Sequence, residues 1–234
     1  MHQGRSLTLM LIVLLSAGGE LLSGCSSGQI KVRGGSLPDG SVVYAAVGDS
    51  TGTGFGARGG GYVERLFARI QQDRRASRLI NPSLAGANTA QVLQSQMEQV
   101  ISSNPTLVTV GIGLNDLLQG VSEDEFAKNY EEIVSRLLKT HAVIIVTTLP
   151  DLSAAPALSK RAPGELSARL TGYNQRIELI AARYGLLLVD LYTMSREPLR
   201  QHPEFFAADG MHPSDAGYEY WAETLWPAVS KAIS

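Results

Sequence analysis

The chain has 234 residues, 44% of them hydrophobic and 18% charged, with a formal net charge of −2. That composition supplies a well-buried core and excludes bulk disorder. With no basic run and no block of like charge, it gives no sign of a nucleic-acid partner or an electrostatic membrane patch, and its single cysteine, Cys25, excludes an intramolecular disulfide framework and a cysteine-rich zinc site.

Met1–Ser6 carries Arg5 and no acid, Leu7–Leu15 is apolar apart from Thr8, and Ser16–Gly24 is small and turn-like. This is the order of regions in a secretory signal, and the apolar run is too short for a spanning helix, which needs roughly 20 residues. Leu22-Ser23-Gly24-Cys25 resembles the lipobox of bacterial lipoproteins. The resemblance implies cleavage before Cys25, acylation of that residue, and an exported, membrane-anchored protein on the periplasmic or cell-surface side. Residues 1–24 are then the signal, 25–40 a flexible tether, and 41–234 a single folded domain.

Val42–Gly56 reads as a buried strand that ends in Gly48-Asp49-Ser50 and delivers Ser50 to a sharp turn. The following Thr51–Gly61 holds six glycines, which let backbone approach closely. Helical spacing predicts a helix over Tyr62–Asp73, then a short strand at Arg78–Ile80, a turn-like Asn81–Asn88 and a helix from about Thr89 to Ile101. Leu107–Gly111 is a third strand. Ser122-x-x-Glu125 is a capping box that opens a helix to Leu138. Ala142–Thr147, a helix over Ser167–Tyr184 stopped by Gly185, Leu186–Val189 and a last helix from near Ser214 follow. Ser153–Glu165 and Tyr192–Ala208 read as loops that set specificity; Met194, Leu199, Phe205 and Phe206 make the second apolar enough to line an acyl pocket. Continuous apolar strands alternating with amphipathic helices predict a parallel five-stranded sheet in a three-layer α/β/α domain, with ligands beyond the carboxyl ends of the strands.

A serine hydroxyl needs a base to take its proton and a carboxylate to orient that base. Of four histidines, His2 lies in the signal, His141 at a helix-to-strand turn on the far side of the sheet, and His202 in a loop. His212, in Asp209-Gly210-Met211-His212-Pro213, stands just before the last helix, and Asp209 three residues earlier can reach back to hold it. The oxyanion needs donors: the Ser50 N–H, an unobstructed N–H at Gly86, and the amide of Asn115 in Gly113-Leu114-Asn115-Asp116.

These blocks, with Gly86 in Leu84-Ala85-Gly86-Ala87-Asn88-Thr89, resemble those of the SGNH or GDSL hydrolases, in the same order. The resemblance runs from about Val42 to the C-terminus. It implies a flavodoxin-like sheet, ester hydrolysis through an acyl-enzyme on Ser50, Asp209 and His212, an oxyanion hole of Ser50, Gly86 and Asn115, and neither metal nor other cofactor. Substrates of such enzymes include lipid acyl esters, lysophospholipids, short-chain esters and acetylated carbohydrates. Thr51 stands where the family often has leucine, a difference expected to affect packing. Asp49 is expected to brace the turn, and Asp116, Asp151 and Asp190, each after a strand, to be structural. Tyr218, Trp221 and Trp226 are expected in the core. A non-catalytic lipoprotein that binds acylated ligands is the alternative of another class.

Two other motifs overlap the first block. Gly48-Asp49-Ser50-Thr51-Gly52 satisfies G-x-S-x-G, but it follows the first strand, and the acid lies only three residues before the histidine, unlike an α/β-hydrolase elbow. Gly52-Thr53-Gly54-Phe55-Gly56-Ala57 matches the dinucleotide fingerprint, but Asp73 falls at a helix end instead of closing the second strand.

Overall fold

The computed structural model describes residues 40–158 and 163–234. The expected signal, Cys25 and all but the last residue of the tether lie outside the described residues. Five strands, β1 (Val43–Gly48), β2 (Arg78–Ile80), β3 (Leu107–Gly111), β4 (Val143–Thr147) and β5 (Leu187–Val189), pair in the order β2-β1-β3-β4-β5, all parallel. The central strands β3 and β4 are buried along their whole length, which is why they read as unbroken apolar runs.

Side chains leave a strand alternately to its two faces, and here they feed two separate cores. Ala45, Val47, Val108, Val110, Ile144 and Val146 pack with helices α2 (Thr89–Ser95), α3 (Met97–Ser102), α4 (Leu114–Gln119), α5 (Glu123–Leu138) and α6 (Pro163–Tyr184). Tyr44, Ala46, Leu107, Val143 and Ile145 pack with α1 (Tyr62–Asp73) and α8 (Asp215–Ile233). The three-layer α/β/α arrangement is therefore the one the sequence predicts. Ser122 caps α5, its hydroxyl accepting from the Glu125 N–H at 3.2 Å, and Ser214 caps α8.

Helix α6 opens at Pro163, inside the expected Ser153–Glu165 loop and four residues before the predicted Ser167, and three further elements differ from the sequence reading. The helix expected over Thr89–Ile101 is broken at Gln96 into α2 and α3. The Gln96 side chain is buried and turned to the sheet, where Oε1 accepts from Gly48 N at 3.1 Å and Nε2 donates to Gly48 O at 2.7 Å. Strand β2 reaches only as far as Ala45 of its neighbour, so the end of β1 lacks a ladder partner on that side, and Gln96 supplies one. Leu114–Gln119, not foreseen, forms α4 from Gly113, whose φ of +128° only glycine adopts easily. The expected loop over Tyr192–Ala208 begins instead as α7 (Leu191–Gln201), with Pro198 inside it. Proline has no N–H to give to the carbonyl four residues back. That carbonyl, Met194 O, accepts from the Tyr220 hydroxyl at 2.5 Å, so the helix survives.

Candidate active site

Ser50 leaves the carboxyl end of β1 in a turn built on Asp49. The buried Asp49 carboxylate accepts from the Thr51 N–H and the Thr51 hydroxyl, both at 2.9 Å. Thr51 thus adds a hydrogen bond where packing alone was expected. Burial pushes the Asp49 carboxyl above its ordinary pKa, against the pull of those donors and of nearby His212. Its second oxygen faces Asn115 Nδ2 at 3.4 Å.

His212 arrives from the other end of the chain. Phe205–Ala207 and His212–Ser214 fold on each other: Ala207 N donates to His212 O at 2.8 Å, Ser214 N to Phe205 O at 2.8 Å, and Phe206 bridges Pro213. Within that turn Asp209 Oδ1 accepts from the N–H groups of Met211 and His212, each at 2.9 Å, and Oδ2 meets His212 Nδ1 at 2.6 Å. His212 Nε2 lies 2.9 Å from Ser50 Oγ. Partial burial opposes the Asp209 charge, but these donors outweigh it and hold the carboxyl below its usual value. A carboxylate on Nδ1 leaves Nε2 as the nitrogen free to take a proton from the serine.

The structure therefore brings Ser50, Asp209 and His212 into one chain of hydrogen bonds. It places Gly86 and Asn115 on the same cavity wall as Ser50 and His212. Gly86 has a φ of +79° and open space where a Cβ would stand, so conformation, not crowding, calls for glycine there. Among the described residues the N–H groups of Ser50 and Gly86 have no protein acceptor. Asn115 Nδ2 donates to Ala87 O at 2.9 Å, and its contact to Asp49 is the longer one. His141 stands between α5 and β4, at the opposite end of the strands, and His202 pairs with Glu204 at 2.8 Å.

The remaining carboxylates brace loops, as the sequence suggests. Asp116 accepts from the Thr89 N–H and hydroxyl, Asp151 from the Ser153 N–H, and Asp190 from the Thr193 N–H at the start of α7. The glycines that match a dinucleotide fingerprint serve the protein's own packing. A Cβ at Gly52 would stand 2.3 Å from Ser83 Oγ, and one at Gly54 2.4 Å from Gly61 N. One at Gly56 would stand 2.9 Å from Pro213 O and 3.1 Å from His212 Cβ. The loop is glycine-rich because the Ser50 and His212 turns touch there.

The cavity holds about 530 Å³. Of the residues expected to line an acyl pocket, Leu199, Phe205 and Phe206 do so, while Met194 is exposed outside it. Leu114, Leu118 and Leu152 form more of the wall and were not foreseen, because they belong to short helical turns with no periodic signature. Trp221, expected in the core, stacks on Tyr62 at 5.3 Å and also reaches the cavity. Tyr218 and Trp226 pack as expected.

Residues 46–220 match the model of the GDSL-like lipase/acylhydrolase family. The chain belongs to that family. At that level it is a hydrolase of ester bonds. It is 31% identical over 196 residues to a GDSL-like esterase of Mycobacterium tuberculosis, a match covering 80% of this chain and 61% of that relative's length. It is 25% identical over 173 residues to an acetylxylan esterase of Geobacillus stearothermophilus, covering 70% and 78% of the two chains. The crystal structure of TesA shares the fold, with a TM-score of 0.67 at 22% identity over 81% of this chain and 99% of that one.

Proposed function

We propose that the protein is a serine esterase that cleaves carboxylic esters of apolar acyl groups, such as lipid acyl esters or lysophospholipids, through an acyl-enzyme on Ser50. The observation that carries this reading is the Ser50–His212–Asp209 relay, at 2.9 and 2.6 Å, opening on the largely apolar 530 Å³ cavity. His212 Nε2 takes the proton of Ser50 as its Oγ attacks the ester carbonyl. Asp209 steadies the imidazolium. The N–H groups of Ser50 and Gly86 and the more loosely held N–H of Asn115 stabilise the oxyanion. His212 then protonates the leaving alcohol, and water completes deacylation by the same steps.

The acyl group favours lipid over acetyl. An acetyl group leaves most of such a cavity unfilled, whereas each further buried methylene contributes about 0.8 kcal/mol. A carbohydrate O-deacetylase is the second reading, supported by the likeness to an acetylxylan esterase. Turnover of p-nitrophenyl esters from acetyl to palmitoyl, with Ser50→Ala alongside, tests both. Activity that rises with chain length and vanishes in the variant is expected. An acetyl optimum favours the deacetylase, and no turnover by folded protein favours a lipoprotein that only binds acylated ligands. We also propose, from the lipobox-like sequence, that Cys25 carries the membrane anchor; Cys25→Ala should move the protein from the membrane to the soluble fraction.

A further inference from the structure

The loop between β1 and α1 puts one large apolar side chain in an unusual place. Phe55 is 52% exposed, lies between two left-handed glycines (Gly54 at φ +74° and Gly56 at φ +95°), and lines the mouth of the cavity. Its ring packs on the His212 imidazole with centroids 4.6 Å apart and planes tilted by 56°. Exposure here is not looseness. The Phe55 N–H donates to Ser50 O at 3.0 Å, and its carbonyl accepts from the Tyr218 hydroxyl at 2.8 Å. The backbone is pinned on both sides to the catalytic turn and to α8, so the ring is held out towards solvent.

We propose that Phe55 is the leaving-group subsite, a platform for alcohols that present a flat, apolar ring face. This rests on the esterase reading above and deepens it. The acyl and alkoxy parts of an ester diverge from the carbonyl carbon. With the acyl chain in the apolar cavity, the alkoxy oxygen lies at His212 Nε2, which must protonate it as the bond between the carbonyl carbon and that oxygen breaks. The group attached to that oxygen emerges beside the ring that covers the imidazole. An aryl ring or the C–H face of a sugar stacks there; a short alkyl group covers little of it.

The full chain and its Phe55→Ala variant are assayed on three octanoyl esters: ethyl octanoate, naphthyl octanoate and octanoyl glucose. Comparing variant with wild type on each ester cancels intrinsic reactivity. The loss in kcat/KM is expected to be roughly three- to tenfold larger on a ring ester than on the ethyl ester. Loss on the naphthyl ester alone names an aryl alcohol, and on the glucose ester alone a sugar. Decay of the octanoyl-enzyme should be unchanged, because the alcohol has gone by then, and Phe55→Tyr should restore the ring preference. Equal loss on all three esters, or slowed deacylation, would mean that Phe55 only braces His212 and overturns the proposal. If wild type turns over none of them, or Ser50→Ala still does, it is the esterase reading that fails.

Discussion

The nucleophile turn and the histidine turn meet at one hydrogen bond, yet they are held in opposite ways. Ser50 sits at the end of a central strand whose last residue is gripped through both its N–H and its carbonyl by the buried Gln96 amide. Its neighbour Asp49 is 2% exposed. His212 and Asp209 stand on a surface turn, where four consecutive residues, Asp209 to His212, supply their own hydrogen bonds. The same residue type is therefore shifted in opposite directions: burial raises the Asp49 pKa, whereas at Asp209 burial is outweighed by local donors that lower it. The core fixes the Ser50 turn, and a surface turn with its own internal hydrogen bonds brings His212 to it.

The most direct way to break this arrangement is on the histidine side. Asp209→Asn keeps the shape of the turn but replaces the acceptor that selects the working tautomer of His212. kcat is expected to fall by about 10⁴ while the unfolding midpoint moves little; steady-state kinetics beside urea denaturation checks both. On the nucleophile side the same logic predicts the reverse balance. Gln96→Leu leaves the Gly48 N–H buried without its acceptor, a loss of roughly 1–3 kcal/mol. Stability should drop first, with activity following through the misplaced Ser50 turn, and an unchanged urea midpoint would refute the clamp.

The smallest effect is in pH dependence, and its sign separates the two turns. Asp209 has a depressed folded pKa, so its contribution to stability is present above the unfolded value and is lost as pH falls through the folded one. Asp49 has a raised folded pKa, so its contribution is present below the unfolded value and is lost as pH rises through the folded one. Urea midpoints from about pH 3 to 6 should therefore tilt oppositely. Relative to wild type, Asp209→Asn should lose ground as pH rises, and Asp49→Asn should gain it. Parallel tilts would show that the two carboxylates feel the same environment.

Much of this was legible in the chain itself. Helix α1 and strand β3 fall where the sequence predicts them, and Ser122 caps α5, because burial of one helix face leaves a helical period and burial on both sheet faces leaves an unbroken apolar run. The Asp209–His212 pair was legible for a related reason: the two side chains are three positions apart and their hydrogen bonds run within that turn, so the pairing is local. The short range of these interactions is what lets composition order alone determine them.

Other features depend on contacts between residues far apart in sequence. Gln96 reads as an ordinary helical glutamine until the short β2 leaves the end of β1 open beside it. Pro198 argues against α7 until Tyr220 satisfies the carbonyl it orphans. The cavity, the Phe55 platform over His212 and the closeness of the nucleophile loop to Pro213 join segments more than a hundred residues apart. The sequence by itself determined the layers, the relay residues and the local turn that holds the base, since each is set by neighbours along the chain. Only the tertiary structure decided where the nucleophile is clamped and what space the relay faces, because those depend on which distant groups burial leaves without a partner.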